Sequence, residues 1–302
     1  MHRTAFLPLA GAAPSTSTIA LGTAVALAFV RSPLVTALEA LDLDELCGGR
    51  LVLGLGSGVK RLVESWHGAA FEHPAQRLRE TVAVIRAVIA EAHLGRPIEV
   101  EGQLVSISVR GWQRPVAPER DRIPIYLAAV GPLMTRTAGE LGDGWIGHEL
   151  GSPRYLRERI LPMLVEGWRA GGRDRQDFSI VASACCVPLA DGAEARRLAA
   201  HQVAFYASVA TYQDFFAFHG FEAEAVRCQE LFRGGRQAEM VDVVTSEMVD
   251  TLTVAGTPDE VRRGLREYDG LADILKLGPP THAPGADAAR AGQQAILEVC
   301  AA

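Results

Sequence analysis

The stretch Pro124-Ile125-Tyr126-Leu127-Ala128-Ala129-Val130-Gly131-Pro132 carries the strongest chemical signal in this chain of 302 residues. An apolar run gives way to small residues, then to Gly-Pro, then to a helix-forming segment that stops before Gly142-Asp143-Gly144 and a second apolar run, Trp145-Ile146. Small residues at a strand end let main chain approach a ligand closely. Pro132 suits the first position of a helix, where an N–H would go unpaired in any residue. The remaining N–H groups of that first turn point outward, and the helix dipole adds partial positive charge, so the Gly131 junction is suited to a phosphate. Proton transfer calls for other residues. His148 closes the next apolar run, and His67 lies in the loop after Gly56-Ser57-Gly58. Imidazole titrates near neutral pH and suits proton donation; a hydrogen-bonded structural histidine is the plain alternative for both. The eight histidines and five cysteines show no metal-ligand spacing, so no metal is expected.

These residues need a scaffold, and the pattern supplies alternating strands and helices. Residues 19–25 read as a strand. Ser32-Pro33 opens a helix, with Ser32 as its cap, that stops at Gly48-Gly49. Residues 50–56 form the next strand. Residues 74–93 form a periodic helix with Leu78, Val82, Ile85 and Ile89 on one face. A hairpin pairs 98–100 with 104–107. Strands at 123–130, 145–148, 178–189 and 273–277 follow, with helices at 132–141, 155–170 and 286–299. Thr257-Pro258-Asp259-Glu260 has the form of a capping box. Residues 193–250 read as a helical insertion within a single domain spanning 1–302.

Composition removes several classes of function. The net charge of −6 argues against a general nucleic-acid binder. The apolar run from Leu21 to Val30 is too short to cross a bilayer, and the start has no signal-peptide pattern, so a cytoplasmic protein is expected. In that reducing compartment Cys47, Cys185, Cys186, Cys228 and Cys300 read as free thiols.

Taken in order and spacing, Ile19-Ala20-Leu21-Gly22-Thr23-Ala24-Val25, the run from Gly48 to Gly58, Pro124 to Pro132, Gly142-Asp143-Gly144 and Gly256-Thr257-Pro258-Asp259-Glu260-Val261 resemble the luciferase-like monooxygenase superfamily. Within it they are most similar to the reductases and dehydrogenases that use coenzyme F420, a deazaflavin, over essentially the whole chain. The resemblance implies an α/β fold, a (β/α)8 TIM-barrel-like domain with the cofactor at the C-terminal strand ends. Residues 19–25 match the third barrel strand. The resemblance therefore implies a barrel incomplete at the N-terminus, lacking roughly forty residues and two of the eight strands a closed barrel needs.

Site residues follow from the same resemblance. A non-prolyl cis peptide at Ala24-Val25 would back the central ring of the deazaflavin. Gly56, Ser57 and Gly58 would pass the cofactor edge, with Ser57 hydrogen-bonding it. Where relatives carry an acid after this turn, Val59-Lys60-Arg61 stands here, which implies a contact from Lys60 to the anionic tail. Ala128, Ala129, Val130, Gly131 and Pro132 match the cofactor-phosphate segment, and Arg154 would reach a phosphate or the tail. Phe29, Arg31, Trp66 and Tyr206 are the expected lining of the substrate pocket. The implied activity is hydride transfer between the deazaflavin C5 and a small imine or conjugated alkene, or the reverse oxidation, by a homodimer without membrane or nucleic-acid partners. An FMN-dependent monooxygenase using O₂, and a non-catalytic truncated barrel subunit, are the two other readings of the same residues.

Overall fold

The computed structural model describes residues 4–282 and 286–301. The chain gathers into two compact units, each discontinuous in sequence. The first runs to Ile146 and takes in Pro162–Ser179; the second comprises Gly147–Leu161 and the chain from Ile180 onward.

The first unit begins with a short helix, α1 (Leu7–Ala12), before strands β1 (Leu21–Gly22) and β2 (Ala26–Leu27). Helix α2 (Pro33–Leu46), strand β3 (Leu51–Gly56), helix α3 (Lys60–His67) and helix α4 (Pro74–Glu91) follow. Strands β4 (Ile98–Val100) and β5 (Ile107–Val109) form an antiparallel hairpin. Strand β6 (Ile125–Ala128), helix α5 (Pro132–Leu141) and strand β7 (Gly144–Ile146) complete the alternation. The main ladder is parallel: β1 and β2 both pair with β3, β3 with β6, and β6 with β7, in the register Leu21↔Leu51, Leu53↔Ile125 and Leu127↔Trp145. Leu51, Leu53 and Leu55 are buried, as is the stripe Leu78, Val82, Ile85 and Ile89 on α4 that the 3.6-residue period predicts.

The differences from the sequence reading have identifiable causes. Of the strand expected at 19–25 only Leu21–Gly22 forms one, and β2 begins beyond it at Ala26. Thr23 Oγ1 accepts from Gly54 N at 2.9 Å and donates to Gly54 O at 2.7 Å, so a side chain takes the ladder bonds there. The second hairpin strand starts at Ile107, not at 104. The Glu80 carboxylate accepts from the N–H groups of Gln103, Leu104 and Val105 and holds them as a turn. Residues 60–67 are helical, not a loop, and bury Val63. Ser32 occupies the N-cap of α2 but its side chain makes no capping bond.

Two carboxylates secure the N-terminal ends of the strands. Asp44 on α2 accepts from Leu51 N at 3.0 Å and from both Nε and Nη2 of Arg120. Asp143 accepts from Ile125 N at 2.9 Å and pairs with Arg86, Arg122 and Arg173. The same Arg86 and Arg173 also donate to the last carbonyls of α5, Leu141 O and Gly142 O, at 2.7 Å each, where a helix C-terminus favours cations. Helix α5 packs main chain to main chain on Pro162–Gly171. A Cβ on Gly139 would stand 2.7 Å from Leu164 O, and one on Gly167 would collide with Arg136 O.

In the second unit, a short helix α6 (Pro153–Tyr155) continues through a wide π turn, Leu156–Ile160, toward helix α7 (Leu161–Gly171), most of which belongs to the first unit. Strand β8 (Ser179–Pro188) is the long one. The insertion holds helices α8 (Gly192–Ala207), α9 (Gln213–His219), α10 (Glu222–Arg233) and α11 (Ser246–Leu252). Strand β9 (Val254–Gly256), three residues long, leaves no readable period in the sequence. Helix α12 (Pro258–Arg266) opens on the Thr257–Glu260 capping box, and strand β10 (Ile274–Gly278) and helix α13 (Ala286–Ala301) end the chain. Strand β10 lies parallel to β8 over Val181–Cys185 and β9 over Cys186–Pro188. The inserted helices close on Val203, Phe216, Cys228 and Met248, all fully buried. Cys47, Cys185, Cys186 and Cys228 are buried free thiols, and burial pushes Cys186 up to about 12. Among the described residues no helix is long and apolar enough to cross a membrane.

Candidate active site

In the first unit the C-terminal strand ends are built from small residues. The Ala24-Val25 peptide is cis, as the resemblance implies. A Cβ on Gly56 would stand 2.8 Å from Val25 Cγ2 and 3.5 Å from the Ala128 Cβ, so glycine is what lets these three strand ends close up. Ser57 Oγ donates to Gly58 O at 3.1 Å, and Gly58 takes φ +71°, which closes the turn. At the end of β6, Ala129 O accepts from the Trp145 indole N–H at 2.9 Å. That bond orients the strand just before it enters α5. Gly131 is the N-cap of α5 and Pro132 its first residue; the Gly131 carbonyl accepts from Thr135 N, and no atom lies within 4 Å of where a Gly131 Cβ would be. No side chain caps the first turn of α5, and its N–H groups have no partner within the helix. Val130 is half-buried beside it.

The other expected residues of this unit sit on other elements. Lys60 is exposed and pairs loosely with Glu64 at 3.8 Å, a helix-face contact worth little in water. Trp66 is 64% exposed and His67 is exposed at the end of α3. Phe29 is buried edge-on against Phe71, with Arg77 over its ring, and Arg31 pairs with Glu39.

The second unit gathers a cluster around His148. Its Nδ1 accepts from Leu150 N at 3.2 Å, and its ring packs against Tyr206 edge-on at 4.3 Å and against Tyr212 at 4.5 Å between centroids. Burial holds its pKa down to about 4; Glu149 nearby raises it, and Lys276 lowers it. The imidazole is therefore neutral at pH 7. This corrects the expectation of an acid titrating near neutrality: burial among aromatic rings disfavours the imidazolium, and the ring offers a neutral N–H instead. The neighbouring Glu149 accepts from Gln202 Nε2 at 3.0 Å, Lys276 Nζ at 3.4 Å and the Tyr206 hydroxyl at 3.5 Å. Gln202, fully buried, uses its other end to accept from Thr281 N at 2.9 Å. Burial beside Glu149 pushes the Tyr212 hydroxyl up to about 12 and Tyr206 higher still. Arg154 is exposed, paired with Glu158 and stacked over Phe218.

Of the expected residues here, His148 and Tyr206 come together, and Arg154 stands apart on α6. The sequence reading misses Gln202, Tyr212 and Lys276. A signal exists for the last: Lys60 and Lys276 are the chain's only lysines, and Lys276 interrupts the apolar run Ile274-Leu275-Lys276-Leu277. A depressed histidine pKa has a measurable consequence. Above pH 6.5, the unfolded value, neutral His148 adds its full stabilisation; that is lost as pH falls from 6.5 through about 4. The size is about 3 kcal/mol. Melting temperature should fall over that range more steeply in the wild type than in His148→Asn, whose amide oxygen still accepts from Leu150 N. Parallel slopes would refute the assignment.

Parallel strands alternating with helices put the chain in the α/β class. The chain belongs to the luciferase-like monooxygenase family, whose pattern it matches over residues 1–273. An uncharacterised protein of Mycobacterium tuberculosis (strain H37Rv) is 34% identical over 276 residues, covering 89% of this chain and 80% of that protein. The 5,10-methylenetetrahydromethanopterin reductase of Methanolobus tindarius is 30% identical over 283 residues, covering 92% and 83%. Among solved structures, the coenzyme F420-dependent tetrahydromethanopterin reductase of Methanopyrus kandleri matches with a TM-score of 0.82 at 25% identity, over 99% of this chain and 88% of that one.

Proposed function

We propose that the chain is a coenzyme F420-dependent oxidoreductase, moving a hydride between the deazaflavin C5 and an electron-poor carbon of a small organic substrate, an imine or a conjugated alkene, in either direction. The observation that carries this reading is the β6–α5 junction. Small residues Ala128 and Ala129, an N-cap at Gly131 with open space before it, and Pro132 at the first helical position suit a phosphate group of the cofactor. The F420-dependent reductases among its relatives support the choice of cofactor. When bound, the deazaflavin supplies the hydride chemistry, and the protein's share is binding, orientation and electrostatics.

The chain's own residues divide that work. The first turn of α5 would hold the phosphate, with the Trp145–Ala129 bond orienting the strand end beneath it. Gly56, Ser57 and Gly58, with Ala24 and Val25, are closely packed and would pass the cofactor edge. Lys60 is the first unit's exposed cation proposed for an anionic tail, and Arg154 is an exposed cation of the second. His148 stays neutral and donates a hydrogen bond. Phe29, Arg31 and Trp66 are the proposed substrate contacts of the first unit and Tyr206 that of the second; His67, exposed, is the proposed proton carrier. We place the enzyme in the cytoplasm as a homodimer, which light scattering checks.

Titrating the purified protein with oxidised F420 and, separately, FMN, following cofactor fluorescence, tests the reading. Saturable micromolar binding of F420, with FMN much weaker, is the expected result. Tight FMN binding with oxygen consumption would move the assignment to a monooxygenase, and binding of neither would overturn it.

A further inference from the structure

We infer that His148, Tyr206 and Tyr212 form a recognition site for the carbonyl group of a small uncharged molecule, with the His148 Nε2–H donating to the carbonyl oxygen. As a substrate site it rests on the oxidoreductase reading above; as a binding site it stands without any cofactor. The tautomer comes first. Leu150 N–H donates to Nδ1, so Nδ1 carries a lone pair and the proton of the neutral ring sits on Nε2. That Nε2 is closed off from solvent and has no protein partner. A buried donor left unpaired is costly, and folded chains keep one where a ligand or a water completes it.

The surroundings narrow the ligand. Tyr206 and Tyr212 place flat faces and edges against the imidazole, which suits a planar group. Tyr212 rides on the short turn Ala210–Tyr212, whose Ala210 and Thr211 are exposed, and admission of a ligand is assigned to a movement of its ring. Charge is already balanced: the Glu149 carboxylate is met by Lys276, Gln202 and Tyr206. With Glu149 and Lys276 cancelling, the cluster has no surplus charge to draw in an ion. An imine basic enough to protonate would bring a positive charge beside Lys276, whereas a carbonyl oxygen accepts a hydrogen bond and stays neutral. A donor on that oxygen also draws electron density from any carbon conjugated to it. The electron-poor substrates proposed above are thereby narrowed to carbonyl-activated ones.

The test uses the full chain without cofactor, with nitrogen-15 in its histidines. Acetophenone is one probe; α-methylstyrene, the same shape with a CH₂ in place of the oxygen, is the other. His148 should be protonated at Nε2 and should shift saturably with acetophenone. The hydrocarbon should bind about tenfold more weakly, and the two probes should bind alike to His148→Asn. A proton on Nδ1, equal affinity of the wild type for both probes, or no saturable shift with acetophenone would overturn the proposal. Each of these is read on the wild-type protein, so a variant that fails to fold changes nothing. F420 binding without discrimination between the probes would leave the oxidoreductase reading and remove this site; discrimination without F420 binding would do the reverse.

Discussion

Asp143→Ala should lower the stability of the protein by about 3–5 kcal/mol in urea unfolding, the range for breaking a buried ion pair by removing one partner. The Asp143 side chain is 12% exposed and is the shared anion for three arginines. Without it, Arg86 and Arg173 stay packed together with like charge. Arg86 is already held below its usual pKa by burial, against the pull of Asp143, and its Nε has no partner. Ile125 N would lose its acceptor as well. Asp143→Asn keeps an oxygen for Ile125 N and removes only the charge, so it should fall between alanine and wild type. A loss under about 1 kcal/mol for alanine would mean that the arginines carry the turn alone.

Gly131→Asp should separate folding from cofactor binding. Gly131 has φ −77° and ψ 157°, a backbone any residue adopts, and its Cβ direction is open. Aspartate is a favoured N-cap, so the variant should keep or raise its melting temperature, by about 0.5–1 kcal/mol of stability. Its carboxylate would then occupy the ground a phosphate needs and repel it. Affinity for F420 should drop about a hundredfold or more, close to 2.7 kcal/mol. Unchanged affinity would remove the α5 N-terminus from the cofactor site.

The parts legible in the sequence were those with a local cause. Pro132 and Gly142 bracket α5 at the residues expected, and the Thr257–Glu260 capping box forms, because both depend on neighbours a few positions away. What was not legible depends on distant partners. Nothing near Thr23 announces that its hydroxyl will replace the ladder at Gly54, thirty-one residues on. Nothing in residues 103–105 shows that Glu80 will hold them as a turn. The same holds at the candidate site. The β6–α5 junction is contiguous, so its Gly131 cap and Pro132 start are legible directly. The His148 cluster draws Glu149, Gln202, Tyr206, Tyr212 and Lys276 from separate elements, and the aromatic burial that makes His148 neutral exists only once they meet.

The glycine contact between α5 and the Pro162–Gly171 segment sets a limit on how this enzyme can be re-engineered. Where helices meet through side chains, a larger or smaller residue can tilt one of them and reshape a pocket at its end. Here Gly139 and Gly167 bring main chain onto main chain, and neither position has space for a side chain. The crossing holds α5 in one place. Efforts to alter selectivity should leave this helix pair untouched.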